Sequence, residues 1–348
     1  MIGYYVHHHG AGHSTRATAV ARACAALGER VVGLSSRPRP ADWPGDWVEL
    51  PDDTTGIDDL AAPAAHHDVT AGGALHFAPL RAGFGPRQQA IAQWVSRAQP
   101  RVVVVDVSVE VTALVRLLGV PVVTVAMPGD RTDAAHRLGY RLATRIVACW
   151  PAGAHPDHVV TGPDLVGRTT FVGGISRFAD ADGALGSDGA GTPGGAAGGR
   201  ASAQRDPALG VLLWGHGSDA PGPCATAPLR AADPAVRWEL ARDLPPGALR
   251  SLLGRAGVVV THAGQGAVAD IAAAGAPAVV LGQDRPHDEQ AATARALDRL
   301  GLAATGVGWP AAHQWPGLLG TARRIGGSGW ERWLGPGARG IAEVLREL

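Results

Sequence analysis

Thr261-His262-Ala263-Gly264-Gln265-Gly266 separates the apolar run Gly257-Val258-Val259-Val260 from the alanine-rich segment Ala267 to Ala274. The run before it reads as a short buried strand. The segment after it has no proline and no β-branched cluster, and reads as a helix. Strand, glycine turn and helix in that order is the repeating unit of a parallel α/β sheet. Gly264 and Gly266 let the backbone come close to a ligand. The free amides of the new helix then point at that ligand, and an anion suits them. His262 adds a side-chain donor beside the same spot, with Ala263 and Gln265 in the turn. The stretch predicts a phosphate site, and a diphosphate in particular.

Working outward, Asp270 lies four residues past Gly266, and the spacing predicts a place in the first helical turn. Its carboxylate could accept from two ribose hydroxyls, or could simply complement the helix dipole. Ala276-Pro277-Ala278-Val279-Val280-Leu281 reads as the next buried strand. It ends in the polar loop Gln283-Asp284-Arg285-Pro286-His287-Asp288-Glu289-Gln290, after which another helix begins. Two successive strand ends thus carry polar groups to one edge of a sheet, where open α/β folds bind ligands.

The same alternation runs through the rest of the chain. Strands are expected at Ile2 to Val6, Val31 to Leu34, Arg101 to Val107, Pro121 to Val125, Arg145 to Trp150 and Phe171-Val172. Further strands are expected at Leu209 to Trp214 and Val236 to Leu240. Helices are expected near Ser14 to Leu27 and Glu110 to Leu118. Between the halves, Ala179 to Pro207 is Gly, Ala, Ser, Asp and Pro with almost no large apolar residue, the composition of a flexible linker. The expectation is α/β: two doubly wound parallel-sheet domains, 1–178 and 208–336, facing across a cleft. The linker is 179–207, and a last helix in 337–348 returns to the first domain. Pro51 to Pro86 reads as long loops.

The first strand runs into His7-His8-His9-Gly10-Ala11-Gly12-His13-Ser14. Gly10 and Gly12 permit a tight turn into a helix, and Ser14 is a candidate N-cap. His13 stands where the strand delivers its C-terminal end, and a neutral imidazole there can take a proton from a hydroxyl. Asp106 ends the run Val102-Val103-Val104-Val105 on the same sheet edge. It could orient His13 as the third member of a triad does, or cap the next helix. Glu110 is the weaker candidate for that role. Four histidines in seven residues also invite a metal, but no carboxylate or cysteine accompanies them at ligand spacing. The expectation is no metal.

Composition narrows the function. Net charge is +0, which removes the electrostatic case for nucleic acid or an acidic membrane surface. All 31 basic residues are arginine, so a Walker A lysine and a Schiff-base lysine are both excluded. Cys24, Cys149 and Cys224 form no pairing or metal pattern, which suits a reducing cytosol. No signal peptide and no apolar run of about 20 residues is present, so a cytoplasmic protein without a transmembrane segment is expected.

These motifs resemble those of nucleotide-sugar-dependent glycosyltransferases with two Rossmann-like domains, the GT-B type. The macrolide and plant glycosyltransferases are similar, as is the bacterial enzyme that adds N-acetylglucosamine to lipid-linked muramyl peptide. Gly10-Ala11-Gly12-His13 matches their first turn. His262, Gly264, Asp270 and Gly275-Ala276-Pro277 match their donor signature, with Glu289-Gln290 in the place of the acidic residue and glutamine that follow. Departures are Asp270 where Glu is more usual, and Ala267 where a hydroxyl residue often contacts phosphate. Leu244-Pro245-Pro246 stands where the plant branch stacks a tryptophan on the base. Gly215-His216-Gly217-Ser218 looks like a second phosphate loop, though it could be an ordinary turn.

The resemblance implies an inverting, metal-independent transfer with a nucleoside-diphosphate sugar as co-substrate and no cofactor; UDP is the first donor to test, and the identity of the base is open. His13 would deprotonate the acceptor hydroxyl. His262 and the helix amides would stabilise the leaving diphosphate, Asp270 would hold the ribose, and Asp288, Glu289 and Gln290 the sugar side. The acceptor, a small molecule or a lipid-linked one, would lie near His76-Phe77 and the loop Met127 to Arg137. A lipid acceptor would put the protein at the inner membrane face. Two rival readings are a non-hydrolysing sugar-nucleotide epimerase, which would want more acid/base carboxylates and a Ser-Gly-Gly turn, and a non-catalytic nucleotide-sugar-binding protein.

Overall fold

The structure is a computed structural model and describes residues 1–8, 10–54, 69–79, 83–155, 163–178, 205–215 and 226–348. The expected linker over 179–204, the histidine at position 9, and His216, Gly217 and Ser218 lie outside the described residues.

The chain forms two compact units: residues 1–150, 156–173 and 336–348, and residues 151–155 and 174–335. In the first, the elements in order are β1 (Ile2–Tyr5), α1 (Ala11–Ala26), β2 (Val31–Ser35), β3 (Asp46–Glu49), α2 (Phe84–Ala98) and β4 (Val102–Asp106). Then come α3 (Val109–Leu117), β5 (Val122–Ala126), α4 (Ala134–Leu142), β6 (Arg145–Ala148), α5 (Pro163–Val166) and β7 (Thr169–Phe171). The second unit has β8 (Asp206–Leu213), α6 (Thr226–Ala232), β9 (Arg237–Ala241), α7 (Pro246–Arg255), β10 (Ala256–His262) and α8 (Gln265–Ala274). It continues with β11 (Ala278–Gly282), α9 (Glu289–Arg299), β12 (Ala304–Val307) and α10 (Trp315–Ile325). The final helix, α11 (Gly337–Arg346), packs on α1 in the first unit.

Each unit holds one sheet, ordered β3-β2-β1-β4-β5-β6-β7 and β12-β11-β10-β8-β9. Every pairing is parallel. Parallel strands are covered on both faces, which is why β4 and β5 carry the β-branched runs 102–105 and 122–125 rather than alternating patterns. Leu34, Ile91, Val103, Val105 and Val115 form one core, and Leu212, Trp238, Val260, Leu281 and Trp315 another.

Strand order reverses between β1 and β4 in the first sheet and between β8 and β10 in the second. A reversal leaves a crevice at the carboxyl ends of those strands, where such folds bind ligands. The motifs at His13 and Asp106 follow β1 and β4. The motifs at Gly215 and His262 follow β8 and β10.

Three local expectations are corrected. Ser14 is no N-cap: α1 starts at Ala11 with Gly10 before it, at φ 85, a left-handed conformation that glycine adopts without cost. Asp270 is in the second turn of α8, not the first, because Gly264 is the cap and the helix starts at Gln265. The expected linker stops short of Pro207, since Asp206 already opens β8. Arg205 fixes that entry by donating to the carbonyls of Leu253, Ala256, Ala274 and Gly275 at 2.7–3.2 Å.

Candidate functional site

In the first unit, the turn after β1 places His13 in the first turn of α1, and its Nδ1 lies 3.0 Å from Asp106 Oδ2 at the end of β4. The register pairs Tyr5 with Val105, so the two residues leave adjacent strands at one level. Asp106 is 0 % exposed. A third participant, absent from the sequence-based expectation, is Arg16. It is also buried, donates from Nη2 to Asp106 Oδ1 at 2.6 Å and sits 3.0 Å from His13 Nδ1. Its signal in the sequence is its spacing, three residues after His13 and on the same helix face. Burial works to raise the Asp106 carboxyl, but Arg16 and then His13 hold it well below the usual carboxylate range, so it is ionised.

The backbone fixes this carboxylate further. Val107, directly after it, has φ 73, rare for a β-branched residue, and Ser108 N donates to Asp106 O at 3.0 Å across it. Ser108, not Asp106, caps α3. Glu110 serves elsewhere. It accepts from the backbone amides of His76 and Phe77 at 2.7 and 3.0 Å and from Ser108 Oγ at 2.8 Å.

A pocket of about 290 Å³ adjoins this region, lined among others by Tyr5, His7, His8, Phe77, Phe84 and Glu110. Its floor includes Arg87, which bonds the Tyr5 hydroxyl at 2.7 Å, Ser36 Oγ at 2.8 Å and Pro51 O at 2.9 Å. His8 lies 3.2 Å from Asp53. Of the residues expected near an acceptor, His76 and Phe77 line the pocket, while Ala134 and the residues after it belong to α4. His76, Asp133 and His136 form a cluster, with His76 Nε2 3.1 Å from His136 Nδ1 and the latter 2.5 Å from Asp133 Oδ2. Arg131 stands 3.2 Å from His136 Nε2. A guanidinium only donates, so that nitrogen accepts and Nδ1 carries the proton toward Asp133. Burial, only partly offset by the Asp133 bond, lowers His136 to about 4.

In the second unit, His262 ends β10 and its ring folds over Gly264. A Cβ at Gly264 would stand 2.5 Å from the ring, so any larger residue there would have to displace the imidazole. The amide of Gly264 donates to His262 Nδ1 at 3.0 Å. Nδ1 is therefore the acceptor, and Nε2 carries the proton and can donate to a ligand. Burial, with the charge of Arg285, lowers His262 to about 4, so this donor is neutral. The amides of Gln265 and Gly266 open α8 beside it, and Ala263 is buried, its amide bonded to Leu281 O at 2.8 Å. Gly215 is exposed after β8, and Gly12 is exposed in α1. Leu244 is half-buried just before α7.

Asp270 does not face an opening. It is 0 % exposed, and its oxygens accept from Ser176 Oγ at 2.8 Å, Arg177 N at 3.1 Å and Arg177 Nε at 2.7 Å. Burial raises its carboxyl, and Arg177 and Ser176 offset only part of that. At the end of β11, Asp288 is exposed with φ 56, Glu289 is half-buried at the start of α9, and Gln290 is buried with its Oε1 accepting from Gln283 N at 3.2 Å.

No protein-family model matches this sequence, and no curated protein does. Solved structures do. A glycotransferase of kitacinnamycin covers 99% of this chain and 98% of its own, at 17% identity and TM-score 0.65. MurG of Acinetobacter baumannii covers 100% and 99%, at 14% identity and TM-score 0.61. The spinosyn rhamnosyltransferase SpnG complexed with thymidine diphosphate covers 100% and 99%, at 17% identity and TM-score 0.59. This chain has the two-domain α/β fold of the GT-B glycosyltransferases.

Proposed function

We propose that this protein moves a hexose-type sugar from a nucleoside-diphosphate sugar to an acceptor hydroxyl, with inversion and without a metal. The observation that carries the reading is the buried, ionised Asp106 held against His13 at the reversal point of the first sheet. In the tautomer where Nδ1 donates to Asp106, Nε2 of His13 is free to take the acceptor proton, and the carboxylate stabilises the imidazolium that forms. The adjoining pocket offers Phe77 and Phe84 as apolar walls for an acceptor. In the second unit, the neutral His262 donor and the amides of Gln265 and Gly266 supply stabilisation for a leaving diphosphate, in the role a divalent cation fills elsewhere.

Incubation with a panel of UDP-, TDP- and GDP-sugars, with and without chelator, tests this. Donor cleavage or transfer is expected, undiminished by chelator. His13→Ala is expected to slow it by about 10²–10⁴-fold with donor affinity little changed. Epimer formation, or binding without turnover, would replace the proposal with one of its rivals.

A further inference from the structure

Asp106 has two oxygens, and two groups of α1 divide them. Oδ1 accepts from Arg16 Nη2 at 2.6 Å, and Oδ2 faces His13 Nδ1 at 3.0 Å. Arg16 Nη2 also stands 3.0 Å from His13 Nδ1. That nitrogen can donate to Asp106 or accept from Arg16, but not both. The first choice leaves Nε2 unprotonated and able to act as a base, whereas the second puts the proton on Nε2 and removes it. We propose that Arg16 is a positioning residue for His13: it occupies Oδ1, turns Oδ2 toward Nδ1, and balances the carboxylate charge beside the ring. The proposal rests on His13 being the base.

Among the described residues, Arg16 is the cation bonded to Asp106 beside His13. Tyr4 on β1 is buried beside it, and burial pushes its hydroxyl well above the ordinary value, so it stays neutral. Cys149, following β6, is buried and its thiol is pushed up to about 11. Met127, following β5, presents a neutral sulfur 3.8 Å from Nη2. His7 lies with its ring 5.2 Å from that of His13. On α11, which packs against α1, Arg339 and Glu343 pair with each other at the surface. Arg16 pairs with the Asp106 carboxylate, and removal of Arg16 would leave His13 beside a carboxylate without that counter-charge. An imidazolium is favoured there.

The test reads the His13 ring directly, by ¹⁵N spectroscopy of histidine-labelled protein, with the signal assigned by its loss in His13→Gln. In the parent protein, neutral His13 is expected as the Nδ1–H tautomer; an Nε2–H tautomer would overturn the proposal without any variant of Arg16 being needed. In Arg16→Gln, which keeps a donor to Asp106 but drops the charge, the titration midpoint of the ring is expected to rise by about one pH unit or more. Arg16→Lys, which keeps the charge, should restore most of it. An unchanged midpoint in Arg16→Gln would overturn the charge-balancing role. The acid limb of the transfer rate should move upward with the ring. A ring that shifts while the limb stays put would overturn His13 as the base and leave the Arg16 assignment standing.

Discussion

At the scale of single residues, Asp270 carries the sharpest tension. Its spacing from His262 matches a ribose-binding carboxylate, yet both its oxygens are taken by Ser176 and Arg177 and it has no exposed surface. The carboxylate stays inside, held by Ser176 and Arg177 from the segment before position 179. Asp270 therefore has structural work to do. Asp270→Ala should leave Ser176 and the Arg177 guanidinium without their acceptor. We expect a loss of about 2–3 kcal/mol, below the range for a fully buried pair because Arg177 is partly exposed. Urea denaturation measures it, and a loss under about 0.5 kcal/mol would show that the two groups find other partners. Asp270→Asn, which keeps an acceptor of the same size, should cost less. His262 makes the contrasting case. Its identity and the glycine two residues on could be read from the sequence as a candidate ligand site. Its tautomer was not, because that depends on the Gly264 amide folding back onto the ring.

At the scale of elements, the turn after β4 stores strain beside the proposed base. Val107 holds φ 73, which costs a β-branched residue about 1–3 kcal/mol. Glycine adopts that conformation freely. Val107→Gly should therefore be neutral or stabilising in thermal melts, despite losing a side chain that lines the pocket. A drop of several degrees would mean that packing of the valine outweighs its backbone. Much of the architecture could be read from element-scale patterns. Apolar runs such as residues 102–105, each followed by a turn and a helix, announce buried parallel strands, and the strand ends then mark where a candidate site would lie. Other features were illegible for identifiable reasons. The edge strand β3 is half-exposed and short, with no apolar run to mark it. The start of β8 hides behind Asp206-Pro207, a turn-like pair ordered by the distant carbonyls that Arg205 gathers. The histidine cluster at 76 and 136 joins residues 60 apart, a pairing that no local pattern encodes.

At the scale of the whole molecule, each unit carries a histidine held neutral: the buried His136 in the first and the half-buried His262 in the second, both lowered from the ordinary 6.5 to about 4. A lowered folded-state value means that the native protein binds fewer protons than the unfolded chain between about 4 and 6.5. Acidification through that window therefore favours unfolding, and the stability present near pH 7 is lost as pH falls. Each tenfold weakening of proton binding on folding corresponds to about 1.4 kcal/mol, so the effect should be visible well before the carboxylates titrate. Asp106 and Asp133, held below the usual range, add losses in the same direction only at lower pH. Asp270, raised by burial, binds its proton more readily in the native state and opposes the trend. Calorimetry at pH 7 and pH 5 should show lower melting at the acid value. His262→Gln should remove part of that difference, confined to whichever transition belongs to residues 174–335 if the two units melt apart. Equal melting temperatures at both pH values would mean that both imidazoles reach water when protonated, and that His262 is not held as a permanent neutral donor.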